Sequence, residues 1–147
     1  MTFEYYNIVS NTTGEIIRQL GGDTSIESNI ITDNTPSGTT AYLGLQTDTN
    51  NEFYYITGTK TSRLIFSSVG SWDKQSIVAN GTDTATFSSS LPNPTQIVVS
   101  VPNGLNIPGP INETSGSFSV NTTVPGDYIV TFISYPYKQQ SYTITAS

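Results

Sequence analysis

From residue 126 onward, apolar side chains return at every second position: Tyr128, Val130 and Phe132 in one run, then Tyr142, Ile144 and Ala146 in the next. A period of two fits an extended strand with one buried face, because a helix would scatter the same residues around its axis. The same rhythm runs back through the second half. Ala85 and Phe87 face one way in an expected strand 82–87, and Ile97 and Val99 oppose Val98 in another over 95–101. Further strands are expected at 75–79, 116–120, 126–134 and 140–146. Residues 88–94 form a loop with two prolines, and 102–110 is too rich in Pro and Gly for a central strand.

The first half reads as extended too, though less regularly. Strands are expected at 3–10, 15–20, 28–32, 41–47, 52–57 and 63–67, divided by turn signals such as Asn11-Thr12-Thr13-Gly14, Gly21-Gly22-Asp23 and Gly58. Phe3, Tyr5 and Asn7 share one face of the first strand, and Tyr6 and Ile8 the other. Phe53-Tyr54-Tyr55-Ile56 is apolar on both faces, as in a strand that is covered twice or buried at an interface. The most helix-like stretch, 13–20, is short and ends at Gly21-Gly22, so no long helix is expected. The fold class is therefore all-β: a small β-sheet or barrel-like domain over 1–70, then a sandwich of immunoglobulin type over 71–147, with the boundary in Ser67-Ser68-Val69-Gly70-Ser71.

Domains of about 70 residues bury only about 60% of the surface their unfolded chains expose. Small modules offset this with disulfides, metals or association. This chain of 147 residues contains no cysteine, which excludes disulfides and thiolate metal sites, and no histidine, the commonest catalytic base and metal ligand. Association is the remedy left. A net charge of −6 with five basic residues disfavours binding to nucleic-acid phosphates. The start, MTFEYYNIVS, has no basic residues ahead of an apolar run and does not read as a secretory signal. No stretch approaches the eighteen or so apolar residues of a membrane helix.

Without His or Cys, a serine or threonine nucleophile would need a lysine or carboxylate to activate it. Lys60, Lys74 and Lys138 sit in polar surroundings typical of solvated surface. Asp48 and Glu52 are close enough in sequence to suggest paired carboxylates or oxygen ligands for calcium, but Thr47-Asp48-Thr49-Asn50-Asn51-Glu52 has the composition of a hairpin turn. Asp73, Asp83 and Asp127 form a second acidic set at the sandwich ends, where Asp83 is expected to bond backbone in its turn. The chain is thus expected to be non-enzymatic, with no catalytic, metal or cofactor residue. The sequons at Asn11, Asn80, Asn112 and Asn121 match chance in a chain so rich in Asn and Thr. The clustered aromatics Tyr5, Tyr6, Phe53, Tyr54, Tyr55, Tyr135 and Tyr137 are the candidate interface residues, because tyrosine offers large contact area at little entropic cost. Trp72 is expected to pack between the two halves, and Tyr128 to be a corner tyrosine whose hydroxyl returns to backbone.

The run Ile77-Val78-Ala79-Asn80-Gly81-Thr82-Asp83-Thr84-Ala85-Thr86-Phe87 resembles the opening strands of bacterial immunoglobulin-like domains. Gly116-Ser117-Phe118-Ser119-Val120 and Val124-Pro125-Gly126-Asp127-Tyr128 resemble their closing pattern, so the resemblance covers 72–146. Leu91-Pro92-Asn93-Pro94 departs from the turn usual between the second and third strands. Together with Ser134-Tyr135-Pro136-Tyr137 and the early Tyr5-Tyr6 pair, it is similar to small virion proteins of tailed bacteriophages. That resemblance implies a capsid decoration or cement protein, docked through residues 1–70 on the major capsid protein or another virion protein. It further implies a homo-oligomer, with a trimer as first expectation, assembled in the host cytoplasm onto the capsid surface, with no nucleic-acid or membrane partner. The alternatives are a tail or baseplate accessory protein, or a glycan- or receptor-binding module.

Overall fold

The structure, a computed structural model, describes residues 3–23, 27–88, 90–103, 105 and 109–147. The chain divides into two compact units, Met1–Arg63 and Leu64–Ser147. The division precedes the Ser- and Gly-rich stretch, because Phe66 is fully buried in the core of the second unit.

In the first unit, β1 (Phe3–Ser10) lies between β2 (Ile16–Asp23) and β3 (Thr39–Gly44) in an antiparallel sheet. No closed barrel forms among the described residues; the sheet is open, and a separate hairpin of β4 (Phe53–Ile56) and β5 (Thr59–Ser62) accompanies it. The alternation of β1 holds. Val9 joins Ile16 and Tyr55 in a small core flanked by Tyr42 and Phe53, while Tyr6 faces Ile30 and Ile31 of α1 (Glu27–Asp33).

Three expectations for this unit are corrected. Residues 28–32, read as a strand from Ile-Ile-Thr, lie in α1. Packing against the sheet overrides β-propensity here. The helix end is capped locally: Asn34 Nδ2 donates to the Ile30 carbonyl (2.8 Å) and Thr35 Oγ1 to the Ile31 carbonyl (2.6 Å), just ahead of Pro36. Gly21-Gly22-Asp23, read as a turn, extends β2, with Tyr5 opposite Gly21 and Phe3 opposite Asp23. A Cβ at Gly21 would meet the Tyr5 ring at 2.9 Å, so the missing side chain makes room across the strands. Residues 63–67, which straddle the division, form no strand: Leu64 makes a single bridge to Tyr137 and Phe66–Ser68 turn as a 3-10 helix with Phe66 buried, while β5 starts earlier, directly after the two-residue turn Thr57-Gly58.

The second unit is a sandwich. One sheet runs β10 (Ile111–Glu113), β9 (Thr95–Ser100), β12 (Gly126–Ile133), β13 (Gln140–Ala146), β7 (Ser76–Ile77). The other runs β11 (Phe118–Val120), β8 (Ala85–Ser88), β6 (Ser71–Trp72). β7 joins β13 in parallel, the other named strands of this unit pair antiparallel, and Leu64 makes an isolated parallel bridge with Tyr137. Ala85, Phe87, Ile97, Val130, Phe132 and Ile144 are fully buried between the sheets, on the faces the period of two assigns. The Tyr128 hydroxyl donates to the Val124 carbonyl at 2.9 Å, the corner expected of an immunoglobulin-type sandwich. Trp72, expected between the halves, is partly buried against the core of the sandwich, stacked near Phe132 (6.1 Å) and edge-on to Phe87 (5.8 Å).

Candidate functional site

The turn joining β1 to β2 is tied down by its own serine. Ser10 Oγ accepts from the backbone amides of Thr12 (3.3 Å) and Thr13 (3.2 Å), and the Gly14 amide donates to the Ser10 carbonyl (2.9 Å). Gly14 has φ +76°, and its carbonyl accepts from the Tyr55 amide at 2.8 Å. A Cβ at Gly14 would lie 2.0 Å from the Tyr55 carbonyl oxygen, so only glycine lets β4 dock here. Facing this turn, Thr57 (φ +46°) and Gly58 (φ +81°) make the tip of the β4–β5 hairpin. A β-branched residue with positive φ is strained, and the type of turn imposes it.

Between the two turns lies a cleft of about 400 Å³, with Tyr42, Tyr54 and Tyr55 among its lining residues. Tyr42 and Tyr55 stack with ring centroids 4.8 Å apart and planes 15° from parallel. The lining offers hydroxyls, an amide, backbone groups and aromatic rings, but no carboxylate, ammonium or guanidinium.

The Tyr55 hydroxyl joins a buried polar cluster. Asn7 is fully buried; its Nδ2 donates to Asp48 Oδ2 (2.8 Å) and to the Tyr55 hydroxyl (3.0 Å), and Gln19 Nε2 donates to its Oδ1 (2.9 Å). Asp48 also accepts from the Leu45 amide (2.9 Å) and from Lys60 Nζ (2.9 Å). Burial pushes the Asp48 carboxyl up, but the Leu45 amide, Lys60 and Asn7 together hold it below the ordinary carboxylate range. Gly44 permits the approach, since a Cβ there would sit 2.3 Å from Asn7 Nδ2. The Asp48–Glu52 stretch does turn, as its composition says, but Asp48 is a buried anchor with Lys60 as its counter-ion. The Lys60 side chain stays 32% exposed, yet its ammonium is committed.

The acids of the second unit are likewise bound to their surroundings. Asp83 Oδ2 accepts from the Val78 amide (2.8 Å) and Asp83 pairs with Lys74, whose hydrogen bond first and the Val78 amide second hold the carboxyl below its ordinary range. Asp73 Oδ1 accepts from the Thr86 amide (2.8 Å), and Asp127 Oδ1 from the Thr145 hydroxyl (2.8 Å). Among the described residues, no three acids gather as a metal site, and no helix is long and apolar enough to cross a membrane.

The seven candidate aromatics are divided between the units. Tyr5 packs on Phe3 (5.9 Å), Tyr6 donates to Glu4 (2.9 Å) on the other face of β1, and Phe53 lies under the Lys60 ammonium (5.0 Å). Tyr54 and Tyr55 are buried, and both contribute to the lining of the cleft. In the second unit, Tyr137 packs on Phe66 (5.1 Å), and Tyr135 is 38% exposed. Sequence reasoning missed Tyr42, and it missed the buried role of Asn7 and of Asp48, which it read as a turn carboxylate. The clue to the turn position was the Thr57-Gly58 pair between two extended runs; the partnership of Asn7 with Asp48, 41 residues apart, left no local signal.

No protein-family model and no curated protein matches this chain. Among solved structures it is similar to a glycosyl hydrolase family 2 member from Bacteroides cellulosilyticus, at 15% identity and a TM-score of 0.36. The match covers 98% of this chain and spans 22% of that one.

Proposed function

We propose that this protein is a non-enzymatic structural component of a virus particle, a capsid decoration protein of the tailed-bacteriophage kind. It docks through its first unit and carries the immunoglobulin-like sandwich as its displayed module. The observation behind this reading is the contrast between the two units. The sandwich has a continuous buried core, including Phe66, Phe87 and Phe132. The main cluster of the first unit holds only Val9, Ile16 and Tyr55, while Phe3 (59%), Leu43 (65%) and Leu45 (61%) stay exposed. By strand register Phe3 and Leu43 fall at one end of the sheet but on opposite faces, Leu43 with its partner Tyr6 and Phe3 with Tyr5, and Leu45 follows directly after β3. Large apolar side chains exposed on both faces of one sheet end gain from burial against a partner that wraps that end. The major capsid protein is the proposed partner, with a homo-trimer as the docking form and the capsid surface as the site of assembly in the host cytoplasm.

Co-sedimentation with the virus particles tests this. The full chain is expected to sediment with capsids, and a Phe3→Asp, Leu43→Asp variant to remain in the supernatant while the sandwich keeps its Trp72 fluorescence. Attachment of a 64–147 fragment alone would overturn the docking assignment.

A further inference from the structure

The cleft lies at the other end of β1 from Phe3, separated from it by the eight residues of the strand, roughly 25 Å of extended chain. It therefore stays open when the apolar end is covered. Several polar groups on its rim have no hydrogen-bond partner among the described residues. Asn11 Oδ1 accepts from Thr40 Oγ1 (2.6 Å), but Asn11 Nδ2 is unpaired, as are the Thr12 and Thr57 hydroxyls and the Tyr42 hydroxyl.

We propose that this cleft binds a neutral sugar. Unpaired donors and donor-acceptor hydroxyls, set around the edge of the stacked Tyr42–Tyr55 pair, match the hydroxyl-bearing edge of a sugar ring. Charged ligands are disfavoured, because the lining holds no ion and the nearby Lys60 ammonium is engaged by Asp48. A volume of about 400 Å³ falls within the roughly 300–1,000 Å³ of small-molecule sites. Both walls are fixed in advance: the 10–14 turn by the Gly14–Tyr55 hydrogen bond and the hairpin tip by its left-handed pair. Little order is lost on binding to walls so held.

The test is an amide-resolved NMR titration of the full chain with glucose, galactose, mannose, N-acetylglucosamine and glucuronate, followed by linear oligomers of whichever sugar binds. No particle is involved, so failure here leaves the docking proposal standing, and the reverse. At least one neutral sugar is expected to shift the amides of Thr12, Thr13, Gly14, Thr57 and Gly58 saturably. Tighter binding of the oligomer would assign a polysaccharide chain, and equal binding a single terminal or free sugar. Asn11→Ala, on an exposed turn, is expected to weaken binding about tenfold, or about 1.4 kcal/mol, with the rest of the spectrum unchanged. Tyr135→Ala, in the second unit, should leave affinity unaltered. The proposal is overturned if no neutral sugar moves those amides, if glucuronate binds more tightly than glucose, or if Asn11→Ala binds with full affinity.

Discussion

Asp48 shows how one residue can hold a thin unit together. Its carboxylate gathers β1 through Asn7, the chain after β3 through the Leu45 amide, and β5 through Lys60. Asp48→Asn keeps the shape but loses the charge and turns one acceptor into a donor facing Asn7 and Leu45 donors. A loss of about 2 kcal/mol from the first unit is expected, as for a hydrogen bond to a charged group. The sign of the pH dependence follows from the direction of the shift. A carboxyl depressed in the folded state stabilises fully above its ordinary value of 3.8, and the contribution fades as pH falls below it toward the folded value. Asp83 and Glu113 are depressed as well, so the parent loses stability in acid through several groups. The Asp48 share is the difference between the parent and Asp48→Asn. Urea midpoints followed by tyrosine or NMR signals of the first unit should differ by a constant amount above about pH 5 and converge below 3.8. A difference unchanged down to pH 2.5 would mean that the charge of Asp48 contributes nothing.

At the scale of elements, the β4–β5 hairpin is joined to the sheet by the Tyr42–Tyr55 stack, by the Asn7 and Asp48 bonds and by a seam at the 10–14 turn. The Tyr55 amide meets the Gly14 carbonyl, and the Ile16 amide meets Asn50 Oδ1 (3.0 Å). Gly14→Ala forces a methyl group against the Tyr55 carbonyl and strains a left-handed backbone. A destabilisation of at least about 2 kcal/mol is expected, with faster hydrogen exchange at Tyr55 and Ile16 than at buried amides of β1. Equal exchange in parent and variant would show that the seam does not anchor the hairpin. The corrections also belong to this scale. α1 and β5 were hidden because their local signals point elsewhere: Ile30-Ile31-Thr32 favours a strand by propensity, and a helix of seven residues leaves too little periodicity to outweigh it. By contrast, the alternation of Ile97 with Val99 and of Tyr128 with Val130 and Phe132 was legible because each strand buries one whole face.

For the molecule as a whole, the difference between the two cores predicts how each unit behaves alone. A fully buried large apolar side chain contributes about 1.5–3 kcal/mol, and the sandwich buries many in one cluster. A 64–147 fragment is therefore expected to unfold cooperatively in denaturant, with Trp72 fluorescence giving nearly the midpoint seen in the full chain. Residues 1–63 alone should unfold at markedly lower denaturant. A fragment 64–147 without a cooperative transition would refute the self-sufficiency of the sandwich. The sequence by itself determined the strands that alternate, the corner at Tyr128, the absence of long helices and the exclusion of thiol and imidazole chemistry, because all of these depend on residue type or on spacing within a few positions. Only the tertiary structure decided that Asp48 meets Asn7 and Lys60, that Trp72 packs against the core of the sandwich, and that two turns more than forty residues apart enclose a cleft. Those contacts join segments distant in the chain, and their partners are chosen by register and packing, which leave no periodic trace in the sequence.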